Sequence, residues 1–214
     1  MLLCLPTPTR AITLDSALPT RIFNAMRAGE LLGEGSYSTV FRYQTRAFKL
    51  CSDPATIALA QACLQDPVPG LPRVHEVLED VGQTDRNDEW VSLIECELLT
   101  PVDDSSGELL ESFWDAGLPF AERSQASLTA QSQWMIQHLV DELGAYQRTS
   151  LDRKVQNARE ALCWLSAFVD EQQCCVDFGR ASNWMWHRQR GLIVADPVVH
   201  DIRKLGATNE SLAP

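Results

Sequence analysis

Apolar positions follow two different periods along the chain. Over 31–98 they fall in short runs broken by polar or glycine-containing turns. Leu31, Val40 and Phe41 bracket Gly33 and Gly35, which reads as strand, turn, strand over 31–41. Ala47-Phe48-Lys49-Leu50 marks a third strand over 46–51. Pro54 suits the first position of a helix, so the pattern predicts a helix over 55–65, ended by Pro67. Pro69-Gly70-Leu71-Pro72 is a turn, and 74–78 and 90–95 are strands joined by a polar stretch, 82–88. Residues 1–28 read as a short extension with helical character around 22–26.

Beyond residue 98 the spacing becomes helical. From Phe120 to Tyr146 apolar residues, Leu128, Met135, Leu139 and Leu143 among them, recur at helical spacing, and Val155, Leu162, Leu165 and Phe168 predict another helix. A short strand is expected over 174–176. Trp184-Met185-Trp186 and Leu192-Ile193-Val194 flank a polar turn ending in Gly191, the pattern of a hairpin. A strand-rich part followed by a helix-rich part implies an α+β protein of bilobal type. The expected parts are an antiparallel-sheet lobe over 29–98 and a reduced helical lobe over 99–214, with a ligand cleft near residue 98.

Composition narrows the function. The chain has 214 residues, enough to bury a core, and a net charge of −11, so nucleic acid is not an expected partner. An acidic cluster over 103–115 reads as a solvated loop and helix face. Seven cysteines, with no C-x-x-C spacing, form neither a zinc set nor a disulfide framework. Buried free thiols in a reducing cytoplasm are the expectation. The first ten residues lack a basic signal-type segment and no apolar run approaches a membrane span, so no membrane partner is expected.

The candidate chemistry is phosphoryl transfer. Phosphate oxygens approach backbone N–H groups closely only where no β-carbon obstructs, which Gly33 and Gly35 allow; Ser38 adds a hydroxyl. Lys49, on the adjacent strand, can neutralise the α- and β-phosphates of ATP. The nucleotide set is Gly33, Gly35, Ser36, Ser38, Val40, Ala47 and Lys49, with Glu95 and Glu97 at the end of the strand-rich part. The predicted helix over 55–65 holds no glutamate to fix Lys49, only Gln61 and Gln65. Asp177 can orient an acceptor hydroxyl and take its proton, Asn183 and Asp196 can hold Mg²⁺, and Arg180 can pair with the transferring phosphate. Asn183 and Asp196 lie 13 positions apart, which two short strands and a turn would bring to one end of a hairpin. In the competing register, Asp152 and Asn157 form the catalytic loop and Asp177-Phe178-Gly179 is the metal tripeptide. No hairpin fits between that pair and Asp177, which favours Asp177 as the base and Asp196 as the metal carboxylate.

On these residues the chain resembles the small serine/threonine protein kinases of short-tailed bacteriophages. The matching stretches are 32–41, Lys49, 69–77, and Asn183-Trp184-Met185 leading to Asp196-Pro197-Val198. The resemblance implies a minimal protein-kinase-like fold, ATP and Mg²⁺ as cofactors, and phosphorylation of bacterial host proteins. By it Lys49 contacts phosphates, Asp177 is the catalytic aspartate, and Asn183 and Asp196 hold the metal. Two features depart from the pattern. Asp177 and Asn183 are six positions apart rather than five, and Cys175 stands where a histidine is usual. The chain also ends 18 residues after Asp196, which leaves no room for a large helical subdomain. A nucleotide-dependent protein kinase is the leading expectation. A pseudokinase that binds a host protein and a small-molecule kinase of the antibiotic-phosphotransferase kind are the alternatives.

Overall fold

A computed structural model describes residues 12–14, 18–84, 89–123, 127–150 and 155–200. They form an α+β protein organised as two compact units. The first comprises the described residues up to Pro67 together with Arg73–Leu98; the second comprises Val68–Pro72 and the described residues from Leu99 onward.

The first unit is built on an antiparallel sheet. Its strands are β1 (Ile12–Leu14), β2 (Glu30–Glu34), β3 (Ser38–Tyr43), β4 (Arg46–Cys51), β5 (Val74–Thr84) and β6 (Trp90–Glu97), in the order β1-β5-β6-β4-β3-β2. Side-chain alternation gives this sheet two apolar faces. Phe41, Phe48, Leu50, Val81, Val91 and Leu93 bury against Ile22, Ala25 and Met26 of helix α1 (Thr20–Ala28). Cys51 and Ile94 point the other way, to Ala60 of helix α2 (Pro54–Gln65).

Helix α2 begins where the sequence places it. Pro54 occupies the first turn, and the Asp53 carboxylate accepts the Thr56 N–H at 2.8 Å. Asp53 is buried, so its removal takes the carboxylate acceptor from that N–H where little solvent can replace it. Asp53→Ala is expected to cost about 1 kcal/mol, read as a lower urea midpoint at unchanged slope.

The helical character expected around 22–26 is present as α1, but over their described part residues 1–28 belong to the sheet and core of the first unit and are not an extension. β1 pairs with β5, Ile12 opposite Thr84 and Leu14 opposite Gly82, and Ile22, Ala25 and Met26 are fully buried. Gly82 belongs to this contact: a β-carbon there would lie 2.4 Å from the Thr13 carbonyl oxygen. The start of the expected polar link, 82–84, is therefore the end of β5; the rest of it, 85–88, lies outside the described residues.

The second unit contains β7 (Thr100–Pro101), α3 (Asp104–Arg123), α4 (Leu128–Ser150), α5 (Gln156–Gln172), β8 (Cys175–Val176), β9 (Trp184–His187), β10 (Gly191–Val194) and β11 (Val198–Val199). Strands β10, β9 and β7 make one small sheet, and β11 with β8 another. Helix α3 packs on α4, α4 on α5, and α5 on β10, around Leu139, Leu143, Leu162, Leu165 and Ile193. The predicted hairpin is present, with Gly191 at φ 80° closing its turn.

Helix α3 was not expected at its full extent. The acidic stretch over 103–115 carries a helix from Asp104 onward. Asp103 caps it: its carboxylate accepts the Ser106 N–H at 2.9 Å and the Ser105 and Ser106 hydroxyls at 2.6 and 3.0 Å. The Ser105 hydroxyl first, then the Ser106 N–H and hydroxyl, hold the Asp103 carboxyl at about 2, below its ordinary 3.8. A depressed folded-state value stabilises the fold above the unfolded value, and that stabilisation is lost as pH falls from near 3.8 toward about 2. A carboxyl titration by NMR is expected to place the Asp103 midpoint near 2, with the start of α3 loosening over the same range; a midpoint at the ordinary value would show that the cap is not made.

The thiols are not uniformly buried. Cys51, Cys63, Cys174 and Cys175 are, but Cys163 is exposed and Cys96 partly so. Burial, and then Asp66, push the Cys63 thiol up to about 12. Among the described residues no helix is long and apolar enough to cross a membrane.

Candidate functional site

In the first unit, strand pairing lines up one cross-strand row. Gly33 lies opposite Val40, Val40 opposite Lys49, Lys49 opposite Ile94, and Ile94 opposite Val77. Directly paired residues share a face, so Gly33, Val40 and Lys49 sit on the α2 side of the sheet, and Ala47, two residues before Lys49, joins them. The glycine-containing turn is closed by the Gly35 N–H donating to the Ser38 carbonyl at 2.8 Å. A β-carbon at Gly33 would meet no atom within 4 Å, and Ser36 at the tip is exposed. Among the described residues only Ser38, its hydroxyl 3.6 Å from a β-carbon at Gly35, approaches these two glycines, which leaves their backbone accessible.

Glu95 and Glu97 do not join this face. Glu95 pairs with Phe48 and Glu76, in the row that faces α1. Its buried carboxylate accepts from Arg21 of α1 at 2.7 Å and lies 3.6 Å from the Arg46 guanidinium; Arg21 also binds Glu76. Glu97, two residues on, accepts the Arg73 N–H at 2.8 Å. The structure thus gives Glu95 a role in fastening α1 to the sheet, on the side opposite Lys49. The α2 amide of Gln61 donates to Glu79 of β5. His75, in β5, is held toward its neutral form by burial first and then by the Arg46 cation.

In the second unit three of the expected residues are drawn together by backbone hydrogen bonds. The Asp177 N–H donates to the Pro197 carbonyl at 2.9 Å, continuing the β8–β11 pairing. The Ala195 N–H donates to the Asn183 carbonyl at 2.8 Å, continuing the β9–β10 pairing. The Asn183 side-chain N–H₂ donates to the Asp177 carbonyl at 2.6 Å. Asp177, Asn183 and Asp196 therefore each lie within one residue of a hydrogen bond shared with another of the three. The amide end of Asn183 is committed to Asp177, so its side-chain oxygen is the end left for a cation.

The segment between Asp177 and Asn183 is anchored from beneath. Phe178 is fully buried between Trp114, edge-on at 6.0 Å, and Trp184, tilted at 5.8 Å. The Trp184 indole N–H donates to the Phe178 carbonyl at 3.1 Å. This buried phenylalanine follows Asp177 directly, and the segment ends in a single 3-10 turn, Ala181–Asn183. Arg180, just before that turn, is exposed. Of the competing register, Asp152 lies outside the described residues, and Asn157 sits in the first turn of α5, donating to the Arg190 carbonyl at 2.7 Å.

Sequence reasoning missed Glu111, whose carboxylate accepts the Ala181 N–H at 2.8 Å. Leu110 and Trp114, one turn apart on either side of it, were the only apolar signal available, because Gly107 and Gly117 at the same helical spacing carry no side chain. Among the described residues no three His, Cys, Asp or Glu side chains are grouped to hold a metal. A Mg²⁺ site of one carboxylate and one amide oxygen does not need such a group, because Mg²⁺ commonly keeps waters and phosphate oxygens in its remaining positions. No protein-family model matches the chain, and no curated protein shows sequence similarity to it.

Proposed function

We propose that this protein is a Mg²⁺-dependent kinase that transfers the γ-phosphoryl group of ATP to a serine or threonine hydroxyl of a bacterial host protein, in the host cytoplasm. The observation that carries the reading is the backbone proximity of Asp177, Asn183 and Asp196: Asp177 bonds to Pro197, Ala195 bonds to Asn183, and Asn183 bonds to Asp177, so Asp196 stands between two residues tied to the other two. Asp177 would accept the hydroxyl proton as the new O–P bond forms and the bond to ADP breaks. The Asp196 carboxylate and the Asn183 side-chain oxygen would hold Mg²⁺, which supplies charge neutralisation of the phosphates when bound. Lys49, with Gly33, Gly35 and Ser38, would take the phosphate chain, and Arg180 the transferring group.

The reaction asks little covalent chemistry of the protein, so positioning and charge supply most of the acceleration. The test is incubation of the protein with labelled ATP, Mg²⁺ and bacterial lysate. Label is expected on serine or threonine with the wild type, together with a thermal shift in Mg-ATP. Equal labelling by wild type and Asp196→Ala would refute the assignment.

A further inference from the structure

Helix α3 presents one face to the segment that bears the candidate base. Gly107, Glu111 and Trp114 stand at i, i+4 and i+7, so they share that face. A β-carbon at Gly107 would come within 3.0 Å of the Ala181 Cβ, and one at Gly179 within 2.7 Å of the Trp114 indole nitrogen. Between these two contacts the Glu111 carboxylate accepts the Ala181 N–H. That N–H opens the 3-10 turn, and the preceding residue, Arg180, provides no side-chain cap for it. Glu111 therefore caps, from another helix, a turn that its own sequence leaves uncapped.

We propose that Glu111 is a positioning residue for phosphoryl transfer, acting through the Ala181 N–H and not on the nucleotide; this rests on the phosphotransferase reading of 177–183. The segment is tied at its ends by Asn183 to the Asp177 carbonyl and by Trp184 to the Phe178 carbonyl. Glu111 holds the stretch between, where Arg180 stands. Release of that hold lets the segment move relative to Asp177 at one end and Asn183 at the other, and a displacement of about 1 Å at a reacting group can cost about a hundredfold in rate.

The test compares Glu111→Ala and Glu111→Gln in the full chain. Glutamine keeps an oxygen that can accept the N–H; alanine does not. For Glu111→Ala, kcat is expected to fall about ten- to a hundredfold, with KM for ATP within about twofold of wild type. Amide hydrogen exchange over 177–183 is expected to quicken in the same variant, while Glu111→Gln restores both readouts most of the way. Exchange that is unchanged in Glu111→Ala, exchange that quickens with no loss of kcat, or a glutamine variant as impaired as alanine would each overturn the proposal. A wild-type chain with no turnover would instead refute the phosphotransferase reading, and the positioning role of Glu111 in transfer with it. The exchange contrast between the two variants would then still report whether the carboxylate holds the segment.

Discussion

Gly70→Ala is expected to destabilise the second unit by about 3 kcal/mol or more. A β-carbon at this position would lie 1.9 Å from the Asn157 carbonyl oxygen, 2.5 Å from its carbon and 2.7 Å from the Ala161 Cβ. Those are atoms of α5, two of them backbone, so no rotamer change relieves the overlap. Nor can the Val68–Pro72 segment withdraw freely. The Gly70 carbonyl accepts the Val194 N–H of β10 at 2.9 Å, and the Arg190 guanidinium donates to the Pro69 and Leu71 carbonyls at 2.8 and 2.9 Å. Asn157 in turn donates to the Arg190 carbonyl, so helix, turn and segment are linked in one circuit. Retreat from the clash would break bonds whose unpaired groups cost about 1–3 kcal/mol each when buried. Gly33→Ala is the control: its added carbon meets nothing within 4 Å. A change within about 0.5 kcal/mol is expected there. Urea unfolding of the two variants beside wild type decides the matter; a Gly70→Ala midpoint equal to wild type would show that α5 and the segment are not in contact.

The same glycine shows where sequence reading stops. Pro69-Gly70-Leu71-Pro72 is recognisable as a turn from local chemistry. The reason for its glycine is α5, far along the chain, which no local pattern reveals. Elements with strong local signals were legible: α2 through Asp53 and Pro54, and the β9–β10 hairpin through alternating apolar residues and Gly191. Helix α3 was not legible in full, because the buried face that should have marked it includes Gly107 and Gly117, which carry no apolar side chain. Strand β1 is three residues long, too short for any period to show. That omission carried into the site. With α1 and β1 taken as an extension, nothing in the sequence pointed to Arg21 as the partner of Glu95. Alternation along β6 then places that glutamate on the face opposite Lys49. The grouping of Asp177, Asn183 and Asp196 was anticipated only as far as the hairpin carries it. The bond from Asn183 to the Asp177 carbonyl depends on how 177–183 folds over Phe178, which is a property of packing.

Asp196→Ala is expected to lower phosphoryl transfer by on the order of 10³ or more. In the proposed site Asp196 supplies the formal negative charge toward Mg²⁺, and Asn183 supplies only a neutral amide oxygen. Removing the charge leaves a set too weak to hold the ion against water; removing the amide leaves a carboxylate that still can. The two substitutions should therefore separate. Asn183→Ala is expected to lose less activity and to recover part of it as Mg²⁺ is raised, whereas Asp196→Ala should not recover at any practical concentration. Asp196→Asn distinguishes charge from shape: it keeps the size of the side chain and its capacity to hydrogen-bond, yet should lose nearly as much as alanine. The measurement is the initial rate of label transfer against Mg²⁺ concentration for wild type and the three variants, with unfolding midpoints recorded in parallel. Asp196→Asn at wild-type activity would remove Asp196 from the metal site. Equal dependence on Mg²⁺ in Asn183→Ala and wild type would remove Asn183 from it, and leave that side chain the purely structural task of closing the loop on Asp177.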